Sequence, residues 1–394
     1  MARLKRSEVF SADEIAIVHV MARVVRRCML MGYDSVTGKN YDHRKRWIED
    51  ELKRLSACFG IDLFVFAIMS NHLHLILRSR PDVVQSWDNK EVAQRWLQLC
   101  PVRKRRSKKQ QQEQEQLVGV QQPSEAELNT ILNNAKRLEE IRSRLSDISW
   151  WMRLICQRIA QWANAEEEEQ GKFWQSRFKA VRLLDEESLL ACAADVDLNP
   201  IRAAMAETLE QSHHTSVQRR IEALKAAVGA AALAAEPQAA GALGNGPAAA
   251  ESRPDAWLSP VELDPQPGAL AASGGRARCS DKGFLPMSST EYLELLDWTA
   301  RQVAPGKRGA TPESAPPIFE RLDLKPAVWS ELVADFGKLF SVVAGLPQRV
   351  DATRSRQSGS RYYLPRGARQ LLRTAVEQGS AAPSTTPPSE AAPA

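Results

Sequence analysis

Long apolar runs are missing from this chain of 394 residues. None approaches the roughly 18 residues that a membrane span needs, and the opening MARLKRSEVFSADE is broken by charges where a signal peptide needs an apolar core. No membrane partner is expected, and a cytoplasmic location is. Cysteine is scarce and scattered: Cys28, Cys58, Cys100, Cys156, Cys192 and Cys279 contain no CxxC pair. That excludes a cysteine-built zinc cluster and an evident disulfide framework, and it suits a reducing compartment. A strong excess of one charge is also lacking, since 53 Lys and Arg face 48 Asp and Glu for a net +5. Such a balance leans weakly toward polyanions and decides nothing alone.

What is present is 43% hydrophobic residues, enough for a real core in at least part of a chain long enough for two to three domains. The run EIAIVHVMARVV (14–25) is β-branched and uninterrupted, as in a buried strand, and 41–60 reads as an amphipathic helix rich in Arg and Lys. IDLFVFAIMSNHLHLIL (61–77) splits at Ser70-Asn71 into two apolar runs that pair as a hairpin or as bent neighbours. After Pro81 a Trp-containing helical stretch leads into RKRRSKKQQQEQEQ (103–116), too polar to bury a core and read as part of an exposed insertion. The segment 125–145 and the stretch carrying Trp151, Leu154, Ile155, Ile159 and Trp162 have helical spacing. FWQSRFKAVRLL (173–184) resembles a strand, followed by a helix over about 188–198 that begins with acidic residues. Residues 226–275 are dominated by Ala, Gly and Pro without period, which predicts a flexible linker. A separate helical C-terminal unit is expected beyond it, with helices over 289–303 and 325–345 and a low-complexity tail after Gly379.

Two residues apart on a strand share a face, so His72 and His74 in NHLHLIL present two imidazoles in one direction. Such a pair can hold a divalent ion, although an isolated HxH is more often an ordinary strand feature. On the later helix, Asp195 lies one turn before Asn199. Two neutral imidazoles and an amide oxygen make a mixed site that leaves positions open for water and phosphate, as Mg²⁺ or Mn²⁺ requires in phosphoryl transfer. The plainer reading of Asn199-Pro200 is a helix stop, and spacing alone leaves both readings open.

In order, HVMARVVRR (19–27), a helix, MSNHLHLIL (69–77), FWQSRFKA (173–180) and LNPIRAAM (198–205) resemble the REP-associated tyrosine transposases and related single-tyrosine HUH insertion-sequence transposases. The resemblance spans about the first 210 residues apart from the insertion. It implies an α+β, ferredoxin-like HUH domain with an antiparallel sheet over 1–215, interrupted by a basic helical insertion at about 82–148. A linker (216–281), a smaller helical unit (282–378) and a disordered tail (379–394) then follow. It further implies His72, His74 and Asn199 as ligands of Mg²⁺ or Mn²⁺. The function implied is binding of single-stranded or hairpin DNA, with nicking and strand transfer in DNA transposition; a homodimer is left open. EYLELLDW (291–298) and PGKRGA (305–310) look like an extension seen in longer members.

At the position of the family's nucleophilic tyrosine this chain has Asp195. A phenolate attacking phosphorus conserves bond energy in a phosphotyrosine diester, whereas a carboxylate would give an acyl phosphate prone to hydrolysis. Two alternatives to an active transposase follow: a domesticated DNA-binding protein without covalent chemistry, and a metal-dependent phosphodiesterase that uses water. Tyr33 and Tyr41 are the only other tyrosines in the matched part, and neither is on the helix expected to face the metal. His213 and His214 lie in a polar stretch and are read as surface residues.

For DNA contacts, Arg23, Arg26 and Arg27 near the first strand, Arg177 and Lys179 on another, and Arg103, Lys104, Arg105 and Arg106 in the insertion are the candidate cations, each with solvated surface charge as the alternative. Phe173, Trp174 and Phe178 interleave with them, as aromatics that grip single strands do, and core packing is the alternative for each.

Overall fold

The computed structural model describes residues 8–11, 13–25, 28–101, 123–234, 253–263, 277–303, 325–354 and 362–376. Arg26, Arg27 and the basic cluster Arg103 to Arg106 lie outside them.

The β-branched run of the first segment forms β1 (Ile17–Arg23), and α1 (Arg44–Cys58) crosses over to β2 (Ile61–Ile68). The Ser70-Asn71 pair turns the chain into β3 (His72–Ser79), so that the two apolar runs form an antiparallel hairpin. Five described helices lie between β3 and the fourth strand, α2 (Pro81–Ser86), α3 (Asn89–Leu99), α4 (Glu125–Leu132), α5 (Ala135–Leu145) and α6 (Ile148–Glu166), and after β4 (Lys179–Leu183) comes α7 (Glu186–Asp197). The expected helix over 125–145 is two helices, broken at Asn133-Asn134, where the Asn134 side chain caps α5 by accepting from Arg137 N. The expected strand over 173–184 is shorter than its apolar pattern. Trp174 makes one bridge to Val24, the chain bends at 175–177, and regular pairing starts only at Lys179.

Beyond α7 lie α8 (Asn199–Arg202), α9 (Ser216–Ala234), α10 (Ser289–Val303), α11 (Pro326–Leu339), β5 (Val343–Ala344), α12 (Pro347–Arg354) and α13 (Arg366–Val376). The sheet order is β2-β3-β1-β4-β5. The first four strands are antiparallel to their neighbours, but β5 pairs parallel with β4, so the sheet is mixed and not purely antiparallel as the sequence suggests. The connection from β1 to β2 and that from β3 to β4 both run through helices, since each joins strands of the same direction.

Alternation along the strands divides the core in two. Val18, Val20, Ala22, Leu73, Leu75 and Leu77 face α1 and the helices of the insertion; His19, Ile76, Val181 and Leu183 face the opposite side, against α7 and the C-terminal helices. A bulge in β2 between Leu63 and Val65 adds Phe64, which places Phe64 and Val65 on the same side. All eight residues of β2 are buried although it ends the sheet. Its outer edge is satisfied by other parts of the chain: Ser259 N donates to Leu63 O (2.9 Å), Arg220 Nη2 to Phe64 O (2.8 Å), and Phe66 N to Ser216 Oγ (3.0 Å).

Those partners come from the region expected to be a linker. Alanine is the best helix former, and α9 runs through the first part of it to Ala234. Trp257 and Leu258 are buried in the core, and Gly283 approaches so closely that a Cβ there would stand 1.8 Å from Glu262 O. Nor do the C-terminal helices stand apart. Tyr292, Leu296, Trp329, Val333 and Phe336 share one core with α7 and the sheet, because Ala191, Cys192, Ala193 and Ala194 keep α7 thin enough to be covered on every side.

Candidate functional site

In the register of β1 and β3, Met21 lies opposite His74 and Arg23 opposite His72, so His19, His72 and His74 all belong to one face of the sheet. His19 Nε2 and His74 Nδ1 share a hydrogen bond of 2.9 Å, with the rings nearly parallel at 15° and 5.1 Å between centroids. The His72 ring stands at 69° to that of His74, and its Nδ1 hydrogen-bonds Asn71 Oδ1 at 2.7 Å. A carboxamide oxygen only accepts, so His72 holds its proton on Nδ1 and leaves the Nε2 lone pair open. Burial lowers His19 to a pKa of about 4. Burial, and then the Arg23 charge, lower His72 to about 4. His74 is pushed well below its ordinary value by burial and by its neighbours His19, His72, Arg23 and Arg202. All three rings are therefore neutral near pH 7.

A cavity of about 360 Å³ is lined by His19 and His74 with Met21, Arg177, Phe178, Lys179, Ala180, Val181 and Asp195, and also by Val9, Phe336, Gly337, Phe340, Ser341 and Val342. Arg177 and Lys179 are exposed and line this cavity; Arg23, at the end of β1, is exposed but is not among its lining residues. Phe178 is buried. Of the residues singled out from the sequence, the structure brings His74, Asp195, Arg177 and Lys179 to one cavity, whereas His72 and Asn199 are not among the residues that line it. Pro200 has no N–H to continue the ladder of α7, so Asn199 starts a new short helix, with Leu198 at the junction still in αR conformation and bonded to Ala194 O.

Asp195 is committed to a partner. Arg202 Nη1 donates to its Oδ1 and to Val333 O (3.0 Å), while Arg202 Nη2 donates to Ala334 O. The carboxyl is buried, and burial raises its pKa to about 6 against the lowering effect of Arg202. None of the five tyrosines lines the cavity. Tyr33 is exposed in a bridge to Asn40, Tyr41 lies under the Arg44 guanidinium, Tyr292 OH donates to Asp197 Oδ2 (2.8 Å), and Tyr362 and Tyr363 precede α13.

Arg177 and Phe178 also line a second groove of about 520 Å³ with Trp150, Arg153, Cys156 and Trp174, so groove and cavity adjoin at these two residues. Trp150 lies against the guanidinium groups of Arg144 and Arg153, at 4.2 and 4.6 Å from its ring centre. Trp174 is half-buried and fixed by a 2.7 Å bond from its Nε1 to Cys156 O, while Phe173 is core.

No family model, curated protein or solved structure matches the chain. Among the described residues no group of three His, Cys, Asp or Glu side chains is placed to hold a metal ion, and no helix is long and apolar enough to cross a membrane. Sequence reasoning missed His19, Arg202, Trp150 and Arg153. The signal for His19 was present, since it shares the parity of Met21 and Arg23 on a strand next to the HxH strand. Arg202 follows Asp195 by seven residues, and its other partners, at 333 and 334, are remote in the chain.

Proposed function

We propose that the chain is a DNA-binding protein on an HUH-type, ferredoxin-like scaffold, which holds single-stranded or hairpin DNA at the histidine cavity and the adjoining groove but does not form a tyrosine–DNA bond. The strand order β2-β3-β1-β4, with helical crossovers between parallel partners, supports the ferredoxin-like reading. Arg23, Arg153, Arg177 and Lys179 supply positive charge, and Trp150 and Trp174 supply flat apolar surface, the combination that grips unpaired strands. The observation that carries the loss of covalent chemistry is the state of Asp195. Its carboxylate is held by Arg202 at the position of the expected nucleophile, and no tyrosine replaces it at the cavity.

For Mg²⁺ or Mn²⁺, the two strand histidines fit half a site: both are neutral and on one face, and His72 offers Nε2. The third donor that the resemblance implies is Asn199, which does not line the cavity. An ion held there would supply Lewis-acid polarisation of a phosphate. The charged rim of the cavity favours the anionic strand whether or not the ion is present.

The test combines end-labelled hairpin DNA with purified protein and Mn²⁺, and follows binding by fluorescence anisotropy and covalent capture on a denaturing gel. Binding without an adduct is expected for the natural chain, with an adduct gained in Asp195→Tyr. An adduct formed by the natural chain would overturn the reading, and so would failure to bind any single-stranded or hairpin DNA. Free cleaved strands without an adduct, lost in His72→Ala, would instead make the chain a hydrolytic nuclease.

A further inference from the structure

We propose that His19 is the positioning residue for His74, accepting a hydrogen bond from His74 Nδ1 and so turning the lone pair of His74 Nε2 outward as a metal donor. The inference rests on the reading of His72 and His74 as ligands. Its basis is a shared pattern in the two strand histidines: each has Nδ1 engaged by a neighbour, His72 by Asn71 at 2.7 Å and His74 by His19 at 2.9 Å, and neither has an Nε2 hydrogen bond among the described residues. An imidazole that donates one N–H to a fixed acceptor has its tautomer and ring orientation decided, and its other nitrogen becomes a better ligand.

His19 is built to hold still. Its partner in the register is Ile76, so it reaches His74 diagonally across the β1 and β3 pair, and the two rings stack. Phe336 of α11 meets the His19 ring edge-on at 6.3 Å between centroids. Both imidazoles are only 7% exposed, so the bond between them excludes competing water. A pair of buried imidazoles is a poor choice for packing alone, because each must be desolvated, and apolar side chains such as Val181 fill the neighbouring position on the same face.

Two measurements test this. Long-range ¹H–¹⁵N correlation spectra of the metal-free natural chain report which nitrogen of each histidine carries its proton, and the expected result is a proton on Nδ1 of His74. Mn²⁺ titration followed by electron paramagnetic resonance is then expected to show about 10- to 100-fold weaker binding in His19→Phe and substantial recovery in His19→Gln, which restores an acceptor. A proton on Nε2 of His74, or unchanged Mn²⁺ affinity in His19→Phe, would overturn the proposal. If the natural chain binds no Mn²⁺, the metal reading fails by itself, and the tautomer spectrum still decides the role of His19 in orienting His74.

Discussion

Asp195 and Asp197 are two residues apart on α7, which turns their side chains about 200° from one another. Asp195 faces the histidine cavity and Arg202. Asp197 faces the other way and accepts from Ser216 Oγ (2.5 Å), Val217 N (3.1 Å) and Tyr292 OH (2.8 Å). Burial nevertheless raises Asp197 to a pKa of about 6, the hydrogen bonds acting in the opposite direction. A carboxyl whose folded pKa exceeds its unfolded value binds its proton more tightly when folded. Its contribution to stability is therefore full below about pH 4 and is lost as pH rises through about 6. Asp197→Asn removes that titration, so its stability relative to the natural chain is expected to be higher at pH 7.5 than at pH 4 by about 2 to 3 kcal/mol. Urea unfolding of both proteins at the two pH values measures it, and an equal difference at both would refute the assignment.

Between elements, ion pairs hold what hydrophobic contact alone does not orient. Glu49 of α1 accepts from His214 Nδ1 (2.8 Å) and from Arg219 of α9 through Nε (2.6 Å) and Nη2 (2.7 Å), tying the first helix to the segment that closes the edge of β2. Burial alone would raise its pKa, but the bonds from His214 and Arg219 bring it down to about 2. Here the sign is reversed: the contribution is present above about pH 4.5 and is lost as pH falls toward 2. Glu49→Gln is expected to lose about 2 kcal/mol at pH 7, and calorimetric scans should show the gap to the natural chain narrowing below pH 4.5. Strand and helix order was readable at this scale because period-2 and helical spacing are local. The ends of elements were less so: the strand expected from Phe173 shortened because tertiary pairing starts only where Lys179 meets Met21. The alanine-rich stretch carried no periodic signal, so neither α9 nor the cover it gives β2 was visible.

For the whole molecule, the test of the proposed DNA surface is its response to salt. Neutralising phosphates releases counterions, so binding should weaken as salt rises, and removing one phosphate contact should lower the slope of log K against log salt by about 1. Arg153→Ala and Arg177→Ala, one on the groove and one shared by groove and cavity, are each expected to have this effect on a hairpin ligand; an unchanged slope in both would place the DNA elsewhere. The sequence by itself determined the α+β alternation, the hairpin turn at Ser70-Asn71 and the shared face of His72 and His74, because these follow from dihedral preference and side-chain parity within a few residues. The tertiary structure alone decided that β5 joins the sheet in parallel, that Phe336 of α11 meets His19, and that Arg202 holds Asp195 while His19 meets His74. All but the Asp195–Arg202 pair, seven residues apart, bring together groups far apart in the chain, and each pairing depends on how buried surfaces fit and how buried polar atoms find partners, which no local pattern encodes.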